Sequence, residues 1–170
     1  MPIVSPQKRL KELPLESLYT LDMESSGHAM SDDSYPISIG VSGPCGRLWH
    51  WLIKPTEDWH SWDEIAEEIH GIGREDLEEG GWDSFLLCRE LNRKFSGKVL
   101  VVDSFADLLW SKKLFDATGV SISFDIAHLS SVLEPAEAQR VMGVIEDTEW
   151  PHKADEDARL LRNAITLYCD

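Results

Sequence analysis

Two carboxylates, Asp22 and Glu24, stand near the end of a short apolar segment, Leu18 to Met23. Pro14 before it and Ser25-Ser26-Gly27 after it indicate a strand. Since side chains alternate along a strand, Asp22 and Glu24 share one face, with Cα atoms about 7 Å apart. Clustered carboxylates repel each other and resist ionisation, and a hard divalent cation relieves this because it prefers carboxylate oxygen. The pair predicts a metal site, although two solvated acids at a strand end would give the same pattern.

Two further acids stand at the head of apolar helix faces. Asp107 precedes Trp110 and Leu114 at helical spacing, and Asp157 begins a similar apolar stripe in the last predicted helix. A carboxylate in this position points towards the core, where an unpaired charge is unfavourable. A buried salt bridge or a helix cap would explain either acid alone. Both acids together with the pair on the strand favour a shared metal site.

His152 lies five residues before Asp157, just ahead of the last predicted helix. A histidine with a near-neutral pKa beside a metal-bound water is a suitable general base. A surface or capping role is the alternative. We assign no catalytic role to four other histidines, which lack this context: His28, His60, His70 and His128.

The elements that would position these residues follow from the periodicity of the chain. Alternating segments at 36–41 and 47–53 predict that the first three strands form an antiparallel meander. The β-branched segment 98–102 predicts a strand buried on both faces, and the alternation of strand and helix after it implies parallel strands. The remaining predictions are a fifth strand at 122–124 and helices at 62–69, capped by Ser61, and at 84–95, 104–117, 127–133, 136–145 and 154–168.

The first predicted helix stops at His70-Gly71-Ile72-Gly73. This segment is not a dinucleotide fingerprint, because the third glycine is missing and no strand precedes it. It is either a helix end capped by glycine or a loop that approaches a ligand closely.

Length and composition predict one domain at 17–170 preceded by an arm at 1–16. No stretch is apolar enough to span a membrane, and the N-terminus has no signal core. Cys45, Cys88 and Cys169 are far apart and form no C-x-x-C motif, which argues against a disulfide scaffold or zinc site and for the cytoplasm. The net charge of −15 argues against non-specific polyanion binding, but not against a nucleic-acid enzyme with a local basic groove.

The chain resembles the DEDDh 3′–5′ exonucleases, the DnaQ-like branch of the ribonuclease H-like fold. Asp22 to Gly27 is similar to the first motif, Val102 to Asp107 to the second, and His152 to Asp157 to the third, His-x4-Asp. The Pro-Ile-x-Ile-Gly strand ending at Gly40 and the Ile-His-Gly-Ile turn at 69–72 are also similar. The resemblance runs from about Ser17 to the C-terminus. The third motif is not of the tyrosine type, since no tyrosine lies four residues before Asp157.

The resemblance implies a specific activity and a role for each site residue. We expect a three-layer α/β domain whose five-stranded mixed sheet has its second strand antiparallel to the rest. The implied reaction is stepwise phosphodiester hydrolysis from the 3′ end of single-stranded DNA or RNA, releasing nucleoside 5′-monophosphates, with two Mg²⁺ or Mn²⁺ ions. Asp22 would bridge both ions, Glu24 and Asp157 would complete one site, and Asp107 would hold the second, through water. His152 would take the proton from the attacking water.

The resemblance implies less about the residues that contact the substrate than about the metal ligands. Met23 and the loop His70, Gly71 and Ile72 are predicted to contact the terminal nucleotide. Asp103 stands where many family members have asparagine, and Ala106 where many have an aromatic residue, which leaves the contacts there open.

Two other functional classes remain open at this point. One is a nucleic-acid or protein binding module that keeps the fold without catalysis. The presence of suitable residues at all five catalytic positions argues against this class. The other is a metal-dependent hydrolase of free nucleotides or other phosphate esters, which the acidic charge and the lack of an added basic domain allow. No particular protein partner is predicted.

Overall fold

The computed structural model describes residues 17–28 and 31–168, and its centre is a five-stranded mixed sheet with strand order β3-β2-β1-β4-β5. The strands are β1 (Tyr19–Ser25), β2 (Pro36–Ser42), β3 (Leu48–Leu52), β4 (Val99–Val102) and β5 (Asp125–His128). β2 is antiparallel to both of its neighbours, whereas β1, β4 and β5 are parallel. The expected fold class and the antiparallel second strand are confirmed. The predicted arm at 1–16 lies outside the described residues.

Seven α-helices accompany the sheet in the described part of the chain. They are α1 (Glu64–His70), α2 (Arg74–Gly80), α3 (Ser84–Phe95), α4 (Phe105–Thr118), α5 (Leu129–Val132), α6 (Pro135–Glu146) and α7 (Ala154–Tyr168). The predicted bounds of α3 and α7 are confirmed to the residue, because both helices have a strong apolar stripe. No helix within 17–28 or 31–168 is long and apolar enough to cross a membrane.

The helices cover both faces of the sheet, and β4 shows how. Its side chains alternate, so Leu100 and Val102 join a core with α3 and α4, while Val101 joins a second core with α5, α6 and α7. All three side chains are fully buried. This arrangement confirms the three layers and explains why the sequence of β4 is uniformly apolar.

Four details of the predicted elements were wrong. The fifth strand is Asp125–His128 rather than 122–124, because parallel pairing with β4 aligns Asp125 with Val99. Ile122 and Phe124 instead pack against the core from the preceding segment. The helix predicted at 127–133 is shortened to α5, since the strand extends through His128.

The other two errors lie near α1. Asp63, not Ser61, caps α1, and its Oδ1 accepts a hydrogen bond of 2.9 Å from the backbone N–H of Ile65. Helix α2 was not predicted. Only Leu77 is buried among its seven residues, so the sequence carries no apolar periodicity there.

Candidate metal centre and active site

The parallel pairing of β1 with β4 brings Asp22 and Asp103 together. Thr20 aligns with Val101 in this register. Two residues further along each strand direction stand Asp22, just past the part of β1 that pairs with β4, and Asp103, just past the end of β4. Parallel strands present their carboxyl ends at one edge of the sheet, which is where ligands bind in open α/β sheets.

Asp107 reaches the same edge from the first turn of α4. The side chain of Ser104 caps this helix by accepting a hydrogen bond from the N–H of Ala106. The backbone N–H of Met23 donates to Oδ1 of Asp107 at 3.1 Å, which joins β1 to α4. Oδ2 of Asp107 is buried and has no hydrogen-bond partner among the described residues.

Helix α7 brings Asp157 to the site because two contacts seat it against the sheet. Thr20 Oγ1 donates a 2.5 Å hydrogen bond to the carbonyl of Ala158. Gly40 on β2 faces the first turn of α7 so closely that a Cβ there would lie 2.1 Å from the backbone of Ala154 and Asp155. Glycine at position 40 therefore allows α7 to approach the sheet.

A cavity of about 370 Å³ opens at this edge of the sheet. All five residues predicted to be catalytic line it: Asp22, Glu24, Asp107, His152 and Asp157. Met23, Asp103, Ser104, Ala106 and Trp150 also contribute to its wall. The tertiary structure thus brings together residues that are up to 135 positions apart in the chain.

The possible metal-binding atoms fall into two groups. Glu24, His152 and Asp157 each offer one such atom within 4.8 Å of the others. Asp22, Asp103 and Asp107 form a second group within the same limit. Asp103 was predicted only as a departure from the family pattern, with no role in metal binding. The position of Asp103 directly after the predicted buried strand could have indicated its role. In the structure Asp22 and Asp103 each follow, by two residues, the aligned pair Thr20 and Val101.

The carboxyl groups of the cavity resist ionisation. Burial, followed by the charge of Asp157, raises the pKa of Glu24 to about 7. Burial raises the pKa of Asp157 to about 6, and the charge of Asp103 adds to the effect. Burial raises the pKa values of Asp22 and Asp107 well above those of ordinary aspartates, and the charges of their acidic neighbours raise them further. The site therefore carries an electrostatic penalty that positive charge would relieve.

The residues present fit hard divalent cations. Oδ2 of Asp107 and Oδ1 of Asp157 are both buried without a hydrogen-bond partner among the described residues. None of the ion pairs between described residues involves the five cavity carboxylates. Buried charges in proteins are paired or coordinate metals. Five carboxylates and one imidazole form an oxygen-rich donor set that suits magnesium or manganese.

His152 occupies an unusual position in the chain. It is exposed, and its φ of 53° lies in the left-handed region, which residues other than glycine rarely adopt. Such strain is found where the surrounding structure holds a side chain in place. Here the conformation keeps the imidazole beside Glu24 and Asp157.

The predicted nucleotide contacts divide into two groups. Met23 lines the cavity. His70 is buried, burial lowers its pKa, and its Nδ1 accepts a hydrogen bond from the N–H of Ile72 at 3.0 Å. Gly71 ends α1 with a φ of 69°, so the glycine cap is confirmed. Gly71 and Ile72 line a separate cavity, and contact of this loop with a nucleotide stays a prediction.

Comparison with known proteins identifies similar structures but no similar sequence. No protein-family model and no curated protein sequence matches the chain. Escherichia coli exonuclease I in complex with a dA16 oligonucleotide matches 91% of this chain with a TM-score of 0.65 and 12% identity. The zinc-bound complex of the same enzyme with single-stranded DNA matches 87% with a TM-score of 0.63 and 14% identity.

These matches establish the fold of the chain. The sheet topology and the flanking helices are those of the ribonuclease H-like fold of exonuclease I, as the sequence resemblance implied. The chain spans about two fifths of the exonuclease I chains, 41% for the dA16 complex and 39% for the zinc-bound one. At this level of identity, the function of the chain has to be argued from its own site.

Proposed function

We propose that the protein is a metal-dependent 3′–5′ exonuclease of the DEDDh type that hydrolyses single-stranded nucleic acid to nucleoside 5′-monophosphates. The observation that carries this proposal is the pair of adjacent donor groups in one cavity, Glu24-His152-Asp157 and Asp22-Asp103-Asp107. A site for two divalent ions is a recurring solution for phosphodiester hydrolysis. The fold shared with exonuclease I supports a nuclease of this type.

The carboxylates would hold Mg²⁺ or Mn²⁺, two per active site. Glu24 and Asp157 would bind one ion, Asp103 and Asp107 the other, and Asp22 would contact both. When bound, these ions supply Lewis acidity and neutralise charge on the phosphate that is cleaved. The carboxylates would hold the ions, and the hydrogen bond from the backbone N–H of Met23 fixes the orientation of the Asp107 side chain.

His152 would act as the general base. Its exposure lets it exchange protons with solvent, and its proximity to Glu24 and Asp157 places it at the first donor group. The imidazole would take a proton from the attacking water and release it to solvent after each turnover. The alternative, in which His152 is itself a metal ligand, is open to test.

The size of the cavity favours action at a chain end. A volume of about 370 Å³ lies in the lower part of the range for small-molecule pockets and suits one terminal nucleotide. The solved complexes of exonuclease I contain single-stranded oligonucleotides, dA16 and dT13. We therefore propose single-stranded DNA or RNA with a free 3′ end as the substrate.

One assay tests this function against the alternatives. Oligonucleotides of DNA and of RNA, labelled either at the 5′ end or along their whole length, are incubated with the protein in manganese or in EDTA, and the products are separated by length. A ladder shortening from the 3′ end, with release of 5′-monophosphates and dependence on metal, is expected. Full turnover in excess EDTA contradicts the proposal.

A comparison of substrates separates the other two classes. Turnover of a mononucleotide ester without turnover of an oligomer would assign the protein to the hydrolases of free nucleotides or phosphate esters. Binding of the oligomer without any product would assign it to the binding modules. Either result overturns the exonuclease proposal.

A further inference from the structure

An exposed aromatic ring stands next to the acidic cavity. Phe105 opens α4 and is 64% exposed. Its chain neighbours on both sides, Ser104 and Ala106, line the cavity. The ring stacks on the imidazole of His128 with centroids 4.2 Å apart and planes 6° from parallel. One face of Phe105 is therefore covered by His128, and the high exposure of the residue shows that the other is accessible.

His128 is held firmly enough to fix the orientation of this stack. Its Nε2 lies 2.8 Å from the carbonyl oxygen of Asp103, which only accepts hydrogen bonds, so Nε2 donates. Its Nδ1 then accepts from Ser130, whose backbone N lies at 3.2 Å and whose Oγ lies at 2.7 Å. The contact with Asp103 also ties the imidazole to the strand end that carries a candidate metal ligand.

The charge of the chain indicates what this ring would bind. With 31 acidic and 16 basic residues, the protein is poorly suited to hold a polyanion through its phosphates alone. Stacking of a base on an aromatic ring does not depend on phosphate neutralisation, and it tolerates any sequence because every base has a π-face. A fixed aromatic face beside the cavity supplies this kind of contact.

We propose that Phe105, supported by His128, is a base-stacking platform for single-stranded nucleic acid. A nucleobase close to the 3′ end lies on the open face of Phe105 while the end of the strand occupies the acidic cavity. The inference rests on the proposed function for its ligand class, and adds a binding residue outside the five carboxylates and His152. It also gives His128, to which the sequence analysis assigned no role, the task of orienting the ring.

The test compares three variants on two substrates. Phe105→Ala removes the platform, Phe105→Trp retains a stacking face, and Phe85→Ala removes a matched exposed phenylalanine on α3, 46% exposed and covered by Arg89. A 5′-labelled oligothymidylate and the p-nitrophenyl ester of thymidine 5′-monophosphate serve as substrates with manganese. Dissociation constants for the oligomer are measured in parallel by fluorescence anisotropy.

If Phe105 is a stacking platform, its removal should reduce binding of the oligomer much more than hydrolysis of the mononucleotide ester. Phe105→Ala should weaken oligomer affinity and raise the oligomer KM by about 5- to 150-fold. Hydrolysis of the mononucleotide ester, which has no second nucleotide to reach Phe105, should fall far less than hydrolysis of the oligomer. Phe105→Trp should bind like the parent, and so should Phe85→Ala. An oligomer with an abasic residue at the stacked position should bind equally to the parent and to Phe105→Ala.

Failure of the platform differs from failure of the proposed function. If the parent cleaves the oligomer and Phe105→Ala equals it in dissociation constant and KM, the platform alone is overturned. A loss of ester hydrolysis equal to the loss on the oligomer would also overturn it, because the substitution would then act on the catalytic site. A parent that binds without cleaving removes the nuclease proposal, and the anisotropy series still decides the platform. A parent that neither binds nor cleaves overturns both.

Discussion

The backbone N–H of Met23 donates a hydrogen bond to Oδ1 of Asp107, 84 residues away in the chain. This bond joins the end of β1 to the first turn of α4, and Oδ2 of the same carboxylate is left buried without a partner among the described residues. A buried acceptor without a donor is destabilising unless a ligand satisfies it. Oδ2 of Asp107 therefore lowers the stability of the protein as long as no ligand satisfies it.

Asp22→Asn should separate function from stability. In EDTA the variant should be as stable as the parent or more stable, because the substitution removes one of several repelling charges and keeps the shape. With magnesium or manganese the order should reverse, since the parent gains more binding energy. Thermal melts of both proteins, with and without metal, provide the measurement, and Asp58→Asn, at an exposed aspartate, is the control. If Asp22 were instead salt-bridged or capping a helix, the variant would lose about 1–3 kcal/mol in EDTA.

The stability of the metal-free protein should fall as the pH rises from about 5 to 8. The pKa of Glu24 is raised to about 7 and that of Asp157 to about 6, so across this window the folded state holds protons that the unfolded chain has released. Stability then decreases with pH, because the folded state binds more protons. Melting temperatures in EDTA across this range test the sign. Glu24→Gln should flatten the slope, and saturating metal should remove it. A melting temperature that rises with pH in EDTA contradicts the buried acidic cluster.

His152→Ala should lower kcat by about 10²–10⁴-fold, the usual range for loss of a general base. Metal affinity measured by calorimetry should survive, and its collapse would make His152 a ligand. His152→Gly should be more stable than His152→Ala, because glycine adopts the φ of 53° without strain. Since position 152 is exposed, added imidazole should restore part of the activity of His152→Gly. Equal stability of the two variants would show that the backbone at 152 relaxes when the imidazole is removed.

Asp103→Asn should weaken metal binding in the absence of nucleic acid. The substitution lowers the charge of the Asp22-Asp103-Asp107 group by one, so affinity for Mn²⁺ at that site should fall at least about tenfold while the other site is retained. Titration of free Mn²⁺ by electron paramagnetic resonance counts both sites without any turnover. Asp125→Asn, a half-buried aspartate on β5, is the matched control. Unchanged binding at both sites would exclude Asp103 as a ligand.

Gly40→Ala should destabilise the fold and displace Asp157. The added Cβ would overlap the backbone of Ala154 and Asp155 at 2.1 Å, so α7 must move, at a loss of about 1–3 kcal/mol or more. Gly143→Ala on α6 is the control, because nothing lies within 4 Å of its Cβ position and alanine should stabilise that helix by about 0.5–1 kcal/mol. Chemical denaturation measures both variants. A Gly40→Ala protein as stable as the parent would show that α7 is not seated by this contact.

The spacing of residues along the chain was enough to predict those site residues whose placement depends on a single strand or helix. Asp22 and Glu24 share a strand face because strands alternate, and Asp157 heads the stripe of α7 because helices repeat every 3.6 residues. The bounds of α3 and α7 followed from the same periodicity. The fold class followed from strands that alternate with helices in the second half of the chain. The catalytic roles of the five residues stay predictions.

Pairing between segments far apart in the chain decided the positions of the remaining site residues. The register of β1 with β4 set Asp103 beside Asp22, and the register of β4 with β5 moved the fifth strand to Asp125–His128. The same shift carried His128 to the end of a strand, where it meets Phe105. A sequence pattern records the period of each element but not its alignment with a neighbour, because hydrogen bonds and packing between segments far apart in the chain determine that alignment. The two donor groups and the stacked pair beside them are therefore products of the tertiary structure.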